Sequence, residues 1–116
     1  MDHYHIWFNI KDTRHDLAFV QHLNAYLDRL KADGRIVGHT LMRRKLGFGP
    51  AELGEFHVDI HVCDLAQLDT AFDVVAAWSG EIETLHARVW SMVTDFRSAL
   101  YRDFPDPQRV MPTAPS

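Results

Sequence analysis

The chain has 116 residues, the size of one domain, and a chain this short buries only roughly two-thirds of its unfolded surface. Its 47% hydrophobic and 24% charged content, with a formal net charge of −4, argue against a disordered chain and against a basic nucleic-acid binder. The single cysteine, Cys63, has no internal disulfide partner, so a reducing, cytoplasmic compartment is expected. Met1 to His5 show no basic region ahead of an apolar stretch, so no signal peptide is expected. No apolar run approaches the ~20 residues that cross a bilayer.

Tyr4 to Ile10 alternates, with Tyr4, Ile6, Phe8 and Ile10 on one face and His5, Trp7 and Asn9 on the other, which predicts a strand. Thr13-x-x-Asp16 reads as a capping box. Leu17, Val20, Leu23, Leu27 and Leu30 then follow at helical spacing, with Phe19 and Tyr26 widening the stripe. Asp33-Gly34 ends that helix, because glycine takes the left-handed conformation cheaply. A second strand is expected over 35–45 and a Gly- and Pro-rich hairpin loop over 46–54. From Glu55 to Cys63 the alternation returns, Phe56, Val58, Ile60 and Val62 against His57, Asp59 and His61.

Asp64 is a good N-cap for a stripe running from Leu65 through Phe72, Trp78 and Leu85 to Met92. As one straight helix it would run ~40 Å, longer than a strand of ~30 Å. A break is therefore expected at Ser79-Gly80, with Ser79 capping the second segment. A last strand follows over 95–104, and the proline-rich residues 105–116 read as a tail. The order βαββαβ with right-handed crossovers predicts an α+β, ferredoxin-like sandwich: an antiparallel sheet of order 4-1-3-2 with the helices on one face, in one domain over 1–104.

With helices over the apolar face, His5, Trp7 and Asn9 lie beside His57, Asp59 and His61 on the open face. A tryptophan among polar groups there suits a half-buried cavity. On this element order and these faces the chain resembles the dimeric α/β-barrel superfamily, over roughly residues 4–104. The resemblance implies a homodimer through the open sheet face, with substrate or ligand held between the two subunits. Members include cofactor-independent monooxygenases, lactone isomerases, haem enzymes and regulator domains. Met42-Arg43-Arg44-Lys45-Leu46-Gly47, Leu53-Gly54-Glu55-Phe56-His57 and Tyr101-Arg102-Asp103-Phe104-Pro105-Asp106 also resemble a bacterial family of unknown function, which implies no activity.

His57-x-Asp59-x-His61 puts three polar groups on one strand face. Asp59 could orient a histidine that acts as general base near neutral pH; the same residues could equally form a polar network between subunits. A metal would need His57, Asp59 and the cross-strand His5 in a favourable register, since histidines at i and i+4 of a strand stand ~13 Å apart. No metal is expected. Trp7 and Asn9, with Trp78 and His86, resemble the residue types of haem-degrading members, but Trp78 and His86 fall at the wrong place in the chain and Trp78 lies on the core stripe, so no cofactor is expected. Arg43 precedes a Gly-rich loop and could meet an anion, or belong to a charged edge strand. Tyr101 could point into the cavity or form a structural corner with Arg102 and Asp103. Cys63 reads as a quiet thiol.

These residues support a homodimeric enzyme, monooxygenase- or isomerase-like, on a small organic molecule: His57, Asp59 and His61 as acid–base groups, and His5, Trp7, Asn9, Arg43 and Tyr101 as ligand-binding groups. The alternative is a non-catalytic dimerisation or small-ligand-binding module. Neither nucleic acid nor membrane is an expected partner.

Overall fold

Alternation decides which way each strand faces. The computed structural model describes residues 1–110 and Pro112; Met111 and residues 113–116 of the expected tail lie outside the described residues. Strand β1 spans Asp2–Ile10, β2 Gly38–Arg43, β3 Phe56–Val62 and β4 Val93–Arg102. They form one antiparallel sheet in the order β2-β3-β1-β4, which is the expected 4-1-3-2 counted from the other edge. Helices α1 (Asp16–Ala32), α2 (Leu65–Ala76) and α3 (Gly80–Trp90) pack on the face that carries Ile6, Phe8, Ile10, Phe56, Val58 and Ile60, none more than 7% exposed. Among the described residues no helix is long and apolar enough to cross a membrane.

Several local expectations change. Thr13 does not cap α1. Asp12 does the capping one residue earlier, its side chain accepting from the Arg14 N–H ahead of a short 3-10 turn over Thr13–His15. Within α1, Leu17 lies six residues before Leu23, off the inner face at about 3.6 residues per turn, so it points outward at 77% exposure while Phe19 and Tyr26 join Leu23, Leu27 and Leu30 in the core. The long stripe breaks at Ser79-Gly80 as expected, and Ser79 sits at the N-cap position of α3, but its side chain makes no capping bond. The reversal comes from two left-handed residues, Trp78 (φ 54°) and Gly80 (φ 78°). Trp78 is therefore thrown out of the core to 79% exposure, against the expectation from its place on the stripe.

Gly54 is the one glycine whose lack of a side chain is sterically required: a Cβ there would meet the Phe8 backbone at 2.2 Å. The loop over 44–55 is also tied from within, by Arg44 Nη2 donating to the carbonyls of Pro50 (2.9 Å) and Leu53 (2.7 Å). At the other edge the β1–β4 register shifts between Trp7 and Asn9. There Asp95 takes a φ of 58°, and the next residue, Phe96, lies edge-on against Trp90 at 5.6 Å.

Candidate functional site

On the open face, antiparallel register sets His5 opposite Asp59, Trp7 opposite His57 and His3 opposite His61. Directly opposed residues share a face and stand close enough for their side chains to interact, so six groups from two central strands converge. His3 Nδ1 lies 3.3 Å from each Asp59 oxygen. His61 Nε2 lies 3.1 Å from Asp59 Oδ2. His5 Nδ1 and His57 Nε2 are 2.7 Å apart, so one ring donates and the other accepts. Trp7 stacks on His57 with ring centroids 4.7 Å apart and planes within 5°. Tyr101, opposite His3 on β4, meets the His5 ring edge-on at 5.1 Å.

The electrostatics differ along this face. A hydrogen bond to the Asp103 carboxylate, at 2.7 Å from Nε2, holds His3 above the usual histidine range, and Asp59 adds to the effect against the opposing pull of burial. Burial pushes His57 down, the neighbouring His5 pushes the same way, and Asp59 opposes both. A neutral His57 can accept at Nε2 from His5 Nδ1–H.

Two residues expected in this group also carry structural contacts. Arg43 alternates to the helix side, where it pairs with Glu55 (3.0 Å) and Asp16 (3.3 Å) and lies over the Phe56 ring at 5.0 Å. Asn9 ties strand ends together: its Oδ1 accepts from the Glu55 N–H at 2.9 Å and its Nδ2 donates to Asp95 at 3.1 Å. The residue missed on this face is His3. The signal was present, because the period of two that selects His5 and Trp7 extends back to it.

A second region lies on the helix side. Between the sheet and α1, α2 and α3 is a cavity of about 370 Å3, walled by apolar side chains such as Leu27, Val58 and Ala71, with Tyr4, Tyr26, His86 and Trp90 as its polar members. Burial pushes the Tyr26 phenol up to about 12 and holds His86 below the usual histidine range. The Trp90 indole Nε1 is buried and has no hydrogen-bond partner among the described residues. Buried polar atoms are nearly always paired, so this donor needs an explanation. The sequence pattern conceals this region, because Tyr26 falls on a helical stripe that reads as closed core. The open face has a cleft of about 250 Å3 at one end, beside Trp7, His57, Met42, Arg43 and Phe48, and a hollow of about 400 Å3 beside Asn9, Asp95 and Arg97.

Architecture and topology define a ferredoxin-like α+β protein. The chain belongs to the family of unknown function DUF6614, whose model matches residues 1–114. None of the curated proteins matches it in sequence. A dimeric ferredoxin-like protein of unknown function from Jannaschia sp. CCS1 is similar in structure, with a TM-score of 0.63 and 11% identity over 89% of this chain and 100% of that one. So is a protein from Deinococcus radiodurans described as a "putative antibiotic biosynthesis monooxygenase", with a TM-score of 0.62 and 15% identity over 97% of this chain and 100% of that one. A third, a dimeric ferredoxin-like protein of unknown function from Bacteroides fragilis NCTC 9343, has a TM-score of 0.60 and 11% identity over 88% and 95% of the two chains.

Proposed function

We propose that this protein is a homodimer that holds one small, mainly apolar organic molecule per subunit in the cavity between sheet and helices. The observation that carries the reading is the cavity itself, walled by apolar side chains with Tyr4, Tyr26, His86 and Trp90 as its polar members. The volume lies within the ~300–1,000 Å3 range of small-molecule sites. His86, kept neutral by burial, is then a base able to take a proton from a phenol or an acidic carbon. Monooxygenase- or isomerase-like turnover of such a substrate is the enzymatic form of the proposal. The structural likeness to the Deinococcus radiodurans protein supports that form at the level of fold analogy.

Pairing through the open face is supported by its surface. Trp7, His5, His57 and Tyr101 form an aromatic array on the side no helix covers, and two structural neighbours are described as dimeric. A second reading puts the ligand in the open-face cleft, where Trp7 stacks on His57, with the Asp59–His61 pair farther along the same strand face.

The test is thermal stabilisation of the full chain by 1-naphthol and related phenols. Ala71→Leu fills the helix-side cavity and should abolish the shift; His57→Ala should leave it intact. A shift that survives Ala71→Leu but disappears in His57→Ala overturns the proposed location in favour of the open-face cleft.

A further inference from the structure

We propose that His3, His5 and Asp59 form a divalent transition-metal site on the open sheet face, a site distinct from the helix-side cavity and independent of its ligand. One donor atom from each of the three residues lies within 4.8 Å of the others. His3 Nδ1 stands 3.3 Å from Asp59 Oδ1, and His5 Nε2 stands 3.9 Å from the same oxygen. Zinc bonds of about 2.0–2.1 Å in a tetrahedron require ligand–ligand edges of about 3.3 Å. The first pair already has that spacing, and the second has to draw in by a few tenths of an ångström.

The support around the three donors makes the case stronger than proximity alone. Metal-binding imidazoles almost always commit their second nitrogen to a carboxylate or another acceptor, and ligating carboxylates are themselves hydrogen-bonded. Here each of the three has its remote atom occupied. His3 Nε2 lies 2.7 Å from Asp103 Oδ1. His5 Nδ1 lies 2.7 Å from His57 Nε2. Asp59 Oδ2 lies 3.1 Å from His61 Nε2. The atoms left over are His3 Nδ1, His5 Nε2 and Asp59 Oδ1, which are the ones that converge. With His3 Nε2–H donating to Asp103 and His5 Nδ1–H donating to His57, both remaining nitrogens present lone pairs toward the carboxylate. A metal ion between those lone pairs and the carboxylate would take the place that protons on the two imidazoles otherwise fill.

Strand register produces this arrangement without any loop. His3 and His5 share a face of β1, and Asp59 sits directly opposite His5 on β3. The sequence suggested His57 as the partner of His5 and Asp59. The geometry exchanges it for His3, and His57 becomes the group that fixes the His5 ring. Two imidazoles and one carboxylate form the donor set of open zinc and non-haem iron(II) sites. Since the side chains project from the face no helix covers, the remaining coordination positions point away from the sheet, toward the partner subunit in the proposed dimer.

The experiment uses the full chain, stripped with a chelator and titrated with Zn(II) by calorimetry and with Co(II) by visible spectroscopy. The expected result is one ion per chain and an intense low-symmetry Co(II) spectrum. His3→Ala and His5→Ala should each weaken binding by 100-fold or more. Asp103→Asn, which meets the remote nitrogen of His3 and the N-terminal ammonium but none of the three donor atoms, should weaken it about 10–100-fold. His15→Ala, on an exposed turn, should change nothing. If either histidine variant fails to fold, Asp103→Asn still decides. Affinity equal to wild type in Asp103→Asn and in every folded histidine variant, or a Co(II) spectrum like that of the hydrated ion, overturns the site.

Discussion

The two faces of this sheet are made by the same strands and obey opposite rules. On the helix side, Phe8 and Val58 are fully enclosed and polar atoms are few. On the open side, the residues between them are histidines, an aspartate and a tryptophan, half-buried and joined ring to ring and ring to carboxylate. The apolar side is held by area removed from water, which is non-directional and tolerant of small movements. The polar side is held by directional bonds whose members depend on one another, so loss of one member strands the next. A substitution therefore has a different consequence on each side, and the largest should come from the enclosed one.

Phe8→Ala removes a side chain that packs against Phe19, Phe56 and Trp90. It should cost about 3–5 kcal/mol of unfolding free energy, read as a drop in the urea midpoint. Gly54→Ala strikes the same strand from the side, against the Phe8 backbone. Overpacking of this kind costs typically about 1–3 kcal/mol. Far-UV circular dichroism of Gly54→Ala should show native secondary structure with an earlier melt. An unchanged melt would mean that the loop end can swing away from β1.

On the open side the measure changes from stability to association. Trp7→Glu places a charge in the middle of the aromatic array. It should move the protein from dimer to monomer in sedimentation equilibrium while leaving the urea midpoint, read at a concentration where both proteins are monomeric, nearly where it was. A variant that stays dimeric would show that the pairing surface lies elsewhere, and the contrast between the faces would then be one of chemistry alone.

Much of this contrast was legible in the sequence. A period of two is read directly from β1 and β3, so the assignment of Ile6 and Phe8 to one side and His5 and Trp7 to the other needs no coordinates. The strand order follows from the element order and crossover handedness. The rest was hidden for identifiable reasons. Which β1 residue stands opposite Asp59 depends on register, and a shift of two residues would put His3 or Trp7 where His5 stands. Arg43 was placed by chemistry when parity alone would have sent it to the helix side with Leu41. Trp78 follows the helical stripe, yet its left-handed backbone turns it out. The cavity beside Trp90 depends on how far three helices stand from the sheet, and no pattern of residue types records that distance.

The titration of His86 probes the enclosed side more gently. Its pKa lies below the ordinary 6.5 because burial disfavours the charged ring, with Glu83 opposing. A depressed histidine binds its proton more weakly folded than unfolded, so its contribution to stability is intact above pH 6.5 and is lost as pH falls through the folded value. Unfolding free energy should therefore decline with acid below pH 6.5, and the decline should be shallower in His86→Gln. The comparison has to be made between these two proteins, because His39 and His57 are depressed as well and slope the same way in both. Equal slopes would mean that the ring is hydrated in the folded state and that it does not face a dry cavity.

The smallest effect asks whether the helix layer can be loosened without disturbing the open face. Asp64 caps α2, its side chain accepting from the Gln67 N–H at 2.9 Å, whereas Ser79 begins α3 with no such bond. Asp64→Ala should cost about 1 kcal/mol, the usual worth of a cap, and Ser79→Ala should cost measurably less. Hydrogen exchange separates the layers: in Asp64→Ala the first amides of α2 should exchange faster while those of β1 and β3 keep their protection. α2 lines the cavity through Leu68, Ala71 and Val75, so phenol binding should weaken with it. The open face draws its order from strand register and from bonds among His3, His5, His57, Asp59 and His61, none of which α2 touches, so dimerisation should be unchanged. A dimer that weakens along with α2 would mean that the two faces are coupled through the sheet.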